Sequence, residues 1–479
     1  MWRRALILLV ALTSAGASAQ DGREVREVRV LEDFIDQALP ASAAPGLAWA
    51  MIDDGELQSG ARGERLAGSG QTLTPDTPFL LGSISKSFTA LAVMQLVEAG
   101  DVALDAPIVD YLESFAGQAG APITIRQLLS HTSGYSTLQG NAFQTGQAQA
   151  DNTLTGRVRQ LALATPIATA GSRWQYSNAN YLILGALIET VSGEDYADYV
   201  ETHILEPAGM ADSFVADDRR HDDVAVGHLP WFGTKRPLTG RSLPTSGAPA
   251  GGIVASAADV ARYLGFMTNG QDDLISAESK ALMLRPAGPA SPHYGFGWFI
   301  DEAADTAYHT GVTPGVETIA ALSRSEPRAV VVLVNAGSGM GFGETADLLS
   351  GTATLGLGQG YESAGGLIWR QALFVPLVIL PFIFVAGIIA SVWLRSGLRA
   401  KSGLAGLFSL WFPLLAITAM AWTFVYLIPR LFGVTLSTLG LYQPDLVLAL
   451  IASAVTGLLW ALLRLAIAYS PRLRSAAQH

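Results

Sequence analysis

Ser83-Ile84-Ser85-Lys86, continued by Ser87-Phe88-Thr89-Ala90-Leu91-Ala92-Val93-Met94-Gln95-Leu96-Val97-Glu98-Ala99 and closed by Gly100, is the stretch that decides the reading of this chain. Its apolar residues run nearly all the way round at helical spacing, which predicts a central, buried helix ended by Gly100. Lys86 is one of only four lysines, with Lys235, Lys280 and Lys401. A lysine on a buried helix is costly unless it finds partners or gives up its proton. Ser83 lies three residues earlier, on the same helical face. An amine with a lowered pKa can take the proton of a neighbouring hydroxyl. A serine at a helix N-terminus also has backbone N–H groups nearby to hold an oxyanion. By itself the pattern is read more simply as an N-cap serine beside a snorkelling lysine.

Two other motifs change that balance. Tyr176-Ser177-Asn178 stands just before the apolar run Tyr181–Ile188. In an extended segment residues i and i+2 point the same way, so phenol and amide would face one cleft. His309-Thr310-Gly311, followed by Val312, ends a predicted strand, and Gly311 would let a substrate backbone approach.

In this order and setting the three motifs resemble the serine penicillin-recognising family: class C β-lactamases, low-molecular-weight DD-peptidases, and related esterases and D-amino-acid peptidases. Leu128-Leu129-Ser130-His131-Thr132-Ser133-Gly134 and Gly251-Gly252-Ile253-Val254-Ala255-Ser256 are similar to the family too, and are read as scaffold, with His131 structural. The resemblance covers about residues 28–355. It implies an α+β fold of the β-lactamase/transpeptidase type, an antiparallel sheet flanked by helices plus a helical lobe.

The resemblance also implies roles. Ser83 would be the acylated nucleophile and Lys86 its activator. Tyr176 would carry protons to the leaving group and the deacylating water; whether Lys86 or Tyr176 is the acylation base stays open. Asn178 would bind a substrate carbonyl and Lys86. His309, Thr310 and Gly311 would line the substrate, and the N–H groups of Ser83 and Val312 would form the oxyanion hole. No metal or cofactor is implied. His309 stands where most β-lactamases of the family have lysine. Histidine is only partly charged at neutral pH and holds a carboxylate less firmly. The expectation therefore moves from β-lactams towards a peptide, amide or ester, with a pH-sensitive step near about 6–7.

Composition agrees. The 479 residues are 50% hydrophobic and 15% charged, which excludes a mainly disordered chain. Cysteine is absent, so thiol catalysis, disulfides and Cys-based metal sites are excluded. The net charge of −11 argues against a nucleic-acid partner. Neither a G-x-S-x-G pentapeptide, nor H-E-x-x-H, nor a phosphate-binding G-x-x-x-x-G-K-[ST] occurs.

The charge is unevenly spread. Residues 1–19 carry +2, 20–366 carry −20 and 367–479 carry +7. Arg3, Arg4, the apolar run Ala5–Leu12 and Ala17-Ser18-Ala19 read as a signal peptide over 1–19. A hydrolase domain over 20–355 and a Gly-rich linker over 356–371 follow. Three apolar stretches, Ala372–Leu394, Leu404–Ile428 and Leu446–Leu463, then suit transmembrane helices within 372–469. Arg395, Arg399 and Lys401 lie between the first two, and Arg464, Arg472 and Arg474 follow the third. By the positive-inside rule both clusters belong in the cytoplasm, with the short tail 470–479, and the large domain lies outside, in the periplasm or extracellular space. The expected partners are a small-molecule or peptide substrate, cell-wall or β-lactam-like in kind, and the membrane. The alternative reading is a penicillin-binding-like sensor or scaffold that binds or is acylated without turnover.

Overall fold

The computed structural model describes residues 26–142, 153–240, 243–340, 342–363, 365 and 367–476. The predicted signal peptide, 1–19, lies outside the described residues, as do 477–479 of the predicted tail.

The main sheet has six antiparallel strands: β1 (Gly46–Asp53), β2 (Glu56–Gly63), β3 (Phe299–Asp301), β4 (Thr306–Thr313), β5 (Val316–Ser323) and β6 (Arg328–Val334), in the order β2-β1-β6-β5-β4-β3. The two ends of the main body thus meet where β1 pairs with β6. β1 and β2 form a hairpin with Asp53 opposite Glu56. Asp54 and Gly55 both take positive φ, 47° and 86°, as a two-residue hairpin turn of the primed type requires.

Period-two alternation divides β1 between two cores. Leu47, Trp49 and Met51 pack with Leu31, Ile35, Leu348 and Ala353 on one face, under the helix 26–42 and the helix Ala346–Gly356. Ala48 and Ala50 join the larger core on the other face, with Phe88, Leu91 and Leu264. That core holds the predicted central helix. Its regular part is Ser85–Ala99, preceded by a 3₁₀ turn over Gly82–Ile84 and closed by Gly100 in the left-handed region at φ 84°. Eleven of its fifteen residues are buried, Lys86 among them.

The stretch 104–177 is broken into short helices, and a long one follows only at Asn178–Ser192. The chain before β3 is irregular, and the strand is regular only from Phe299. Gly297, at φ 81°, lets the chain press on the central helix, where a Cβ would lie 2.8 Å from the Ser87 Cα. The close approach bends the segment out of the ladder.

Three further helices are long and apolar enough to cross a membrane: Ile368–Trp393, Gly403–Leu431 and Pro444–Ser470. The first begins inside the expected linker.

Candidate active site

The turn that carries Ser83 is wedged against β4. β3 pairs with β4 only over Thr306–Tyr308, so His309–Thr313 forms an edge beyond that ladder. The turn Gly82–Ile84 packs there. A Cβ on Gly311 would lie 1.9 Å from the Leu81 carbonyl oxygen, and one on Gly82 would lie 2.9 Å from the Val312 nitrogen. Gly82 takes φ 59°. Glycine at both positions is therefore a steric requirement. The Thr318 hydroxyl fixes the turn by donating to the Leu81 carbonyl at 2.8 Å. This packing sets the Ser83 turn directly beside Val312.

Lys86 is fully buried one turn behind Ser83. Its Nζ lies 3.0 Å from Ser83 Oγ and donates to the Ala250 carbonyl at 2.6 Å. Ala250 directly precedes the Gly251–Ser256 stretch, which the central helix also holds, through a hydrogen bond from the Ile253 N–H to Ser85 Oγ. Burial pushes the amine's pKa well below the usual lysine value, and among the described residues no acid offsets this. The Tyr176 ring centroid is 5.0 Å from Nζ. Burial pushes the Tyr176 phenol up, only partly offset by its hydrogen bond with Ser83. Both groups are thus driven towards their neutral forms: a free amine and an intact phenol.

The loop carrying Tyr176 is propped by the His131 region. Ser177 N–H and Asn180 Nδ2 both reach His131 Nδ1, at 3.2 and 2.9 Å. Thr137 Oγ1 donates to the Tyr176 carbonyl at 2.6 Å. Nδ1 accepts twice, which puts the proton on Nε2. Burial and the nearby Lys86 and His309 hold His131 well below the ordinary histidine pKa. Through these contacts His131 and Thr137 hold the loop that carries Tyr176.

Asn178 begins a helix rather than continuing an extended strand. Its Nδ2 donates to Asn141 Oδ1 at 2.8 Å, and its buried Oδ1 has no partner. The expected hydrogen bond to Lys86 is replaced by the lysine's bond to Ala250.

His309 departs furthest from expectation. It is 1% exposed and faces inward among Tyr176, Tyr294 and Phe299. Nδ1 donates to the Thr310 carbonyl at 2.8 Å, and Nε2 accepts from the Tyr294 hydroxyl at 3.1 Å. Burial, and then the Lys86 charge, lower its pKa to about 3. It is therefore neutral across the working range, and the expected ionisation near 6–7 does not arise from it. Strand alternation turns Thr310 to the outside, while Gly311 is buried and Val312 is 51% exposed.

Ser83, Asn178 and Val312 open onto a cleft of about 580 Å³. Sequence reasoning missed much of its lining. Arg65, Arg157 and Arg220 lie there, as do Leu441 and Tyr442 from the segment before the last apolar helix. No sequence motif marks them; they are gathered from distant parts of the chain. Tyr294, which holds His309 Nε2, lies in no sequence motif either. No cluster of metal-binding side chains occurs among the described residues.

A beta-lactamase family profile matches residues 31–353. The chain belongs to the beta-lactamase family. It is 33% identical over 251 residues to penicillin-binding protein 4 of Amycolatopsis lactamdurans, a match covering 50% of this chain and 65% of that protein. The chain thus spans less than two thirds of that relative's length. It is 31% identical over 330 residues to esterase EstB of Burkholderia gladioli, covering 59% of this chain and 82% of that one. Among solved structures, the octameric penicillin-binding protein homologue from Pyrococcus abyssi superposes with a TM-score of 0.62 at 27% identity, over 73% of this chain and 81% of that one. Family membership accounts for the β-lactamase/transpeptidase-like fold; the three apolar helices lie beyond the matched residues.

Proposed function

We propose that this protein is a membrane-anchored serine hydrolase that transfers an acyl group from a peptide, amide or ester to water through Ser83. The observation that carries the reading is the dry Lys86 amine 3.0 Å from Ser83 Oγ. Burial favours its free-base form, so Nζ can accept the serine proton as Oγ attacks the substrate carbonyl. This favours Lys86 over Tyr176 as acylation base, since Tyr176 is held as the phenol. The oxyanion then forms against the N–H groups of Ser83 and Val312. Collapse expels the amine or alcohol, which takes a proton from the Lys86–Tyr176 pair, and leaves an acyl-Ser83 ester. Water attacks that ester with the same pair as base, and Ser83 regains its proton. Asn178 offers its amide to the substrate. With His309 neutral and inward, the cleft arginines are better placed than it to meet a substrate carboxylate.

Kinship with both a penicillin-binding protein and an esterase supports the acyl-enzyme chemistry and leaves its substrate range wide. For the membrane, the support is the tail. The connection Arg395–Arg399 and the segment 429–443 lie at opposite ends of the bundle, and among the described residues it is the second that touches the main body, through Gly433 and Gln443. Spans with basic residues at the far end fit a main body outside the plasma membrane and a cytoplasmic C-terminus.

The test is intact-mass spectrometry of the full-length protein and Ser83→Ala with a fluorescent penicillin, alongside turnover of a p-nitrophenyl ester. Ser83-dependent turnover supports the hydrolase. A lasting adduct without turnover of either compound would favour the sensor reading instead.

A further inference from the structure

Leu441 and Tyr442 belong to the tail, yet they line the same cleft as Ser83, Asn178 and Val312. They end the short helix Leu436–Tyr442, and the third apolar helix begins at Pro444. The segment is tied to the main body at separate points. Asn141 Nδ2 donates to the Gly433 carbonyl at 3.3 Å. Gln443 Nε2 donates to the Ser338 carbonyl at 2.6 Å, and the Phe232 N–H donates to Asp445 Oδ2 at 2.9 Å. Leu439 is buried with Phe374, Leu446 and Leu450, and Met340 of the main body packs against that cluster. Asn141 also accepts from Asn178 Nδ2. Two hydrogen bonds therefore join the tail backbone to an amide at the cleft.

The two sides of the cleft differ in chemistry. The main body brings Arg65 and Arg220, the latter paired with Asp222, and the tail adds a leucine and a tyrosine. The tail's contribution comes from the residues that directly precede a helix whose flanks are bare, with Leu448 47% and Ile451 40% exposed. The same loop exposes Leu431 and Phe432, at 75% and 59%. Bare leucine, isoleucine and phenylalanine call for an apolar medium, and a tyrosine such as Tyr442 at the end of such a span sits where lipid meets water, so the cleft opens beside that boundary. A soluble peptide gains nothing from such a placement. An amphiphile does, because its apolar chain leaves the site without crossing water.

Resting on the hydrolase reading above, we infer that the segment between the second and third spans is the specificity wall of the active site, with Leu441 and Tyr442 selecting an amphiphilic acyl substrate whose apolar chain lies against them at the membrane surface. The tail is then part of the binding site as well as an anchor.

Because the chain has no cysteine, Tyr442→Cys places a single thiol on this wall. The full-length variant, in phosphatidylcholine nanodiscs, is treated with an ethyl or a dodecyl fluorophosphonate. Intact mass confirms one adduct on Ser83, which is also the check on folding, and a maleimide then probes the thiol. The dodecyl adduct should slow maleimide reaction at least tenfold, and the ethyl adduct should leave it unchanged. In parallel, Tyr442→Ala should slow Ser83 labelling by the dodecyl probe at least tenfold more than labelling by the ethyl probe. Equal maleimide rates after both adducts, or an equal slowing of both probes by Tyr442→Ala, would overturn the proposal. Absence of any Ser83 adduct with either probe is a different result: it removes the hydrolase reading, and this inference with it.

Discussion

The central helix Ser85–Ala99 and the last tail helix Pro444–Ala476 are both apolar nearly all the way round, and they end in opposite surroundings. Protein closes over the first from Ser85 to Met94. The second keeps Leu448, Val455, Leu459 and Leu462 bare, between 47% and 54% exposed. Length separates them: fifteen residues rise about 22 Å, short of a bilayer core, while the last helix exceeds it. The more telling difference is charge. Lys86 is tolerated inside the protein because Ser83 and Ala250 supply polar partners and because burial favours its neutral form. The described spans hold no such lysine.

That contrast can be broken at several points. The largest effect should come from the lysine. Ser83→Ala and Lys86→Met should each cut ester turnover about a thousandfold or more. A buried amine with a lowered pKa subtracts stability below the unfolded value, because the unfolded chain binds a proton that the folded one does not. Lys86→Met should therefore leave the thermal midpoint no lower than wild type at pH 7, measured by calorimetry. In wild type, kcat/KM should rise with pH through an ionisation below the usual lysine value.

Putting a lysine where the protein offers no partners should have the reverse effect. Leu450→Lys, in the wholly buried centre of the tail cluster, should cost about 3 kcal/mol of insertion and leave much of the protein extractable from membranes at alkaline pH. Gly311→Ala drives a Cβ into the Leu81 carbonyl and should lower kcat/KM by about a hundredfold, mainly through kcat, as the oxyanion turn is pushed off β4.

Acid separates the buried floor from the open cleft. His309 titrates at about 3 in the fold, against 6.5 for an ordinary histidine. Between those values the unfolded chain holds an extra proton. Stability should therefore fall as pH drops through that window, by up to about 1.4 kcal/mol per pH unit for this group. Urea titrations of His309→Gln should show a flatter decline. A decline as steep as wild type would mean that His309 is not buried neutral. The smallest effect belongs to the helix end. Gly100→Ala, at φ 84°, should cost about 1 kcal/mol in the same titrations.

Much of the fold was legible because it rests on local pattern. The hairpin at Asp54-Gly55, the helix closed by Gly100 and the three apolar helices are each written in consecutive residues, through turn chemistry, hydrophobic period or length. Candidate residues carried by short motifs also lie together in space: the Lys86 amine is beside Ser83 Oγ and the Tyr176 ring. The setting of His309 was not legible. Strand alternation could place it on the inner face, but only the arrival of Tyr294, Phe299 and Tyr176 from other segments shows that the inner face is dry and aromatic.

The sequence alone determined the family motifs, the unevenness of charge and the presence of helices that need an apolar medium, because each depends on neighbours along the chain. The tertiary structure alone decided the ionisation of Lys86 and His309, the tie from Asn178 through Asn141 to Gly433, and the seating of Leu441 and Tyr442 in the cleft. Desolvation and cleft lining depend on groups brought together across hundreds of residues, and no local pattern encodes what a side chain will meet at that range.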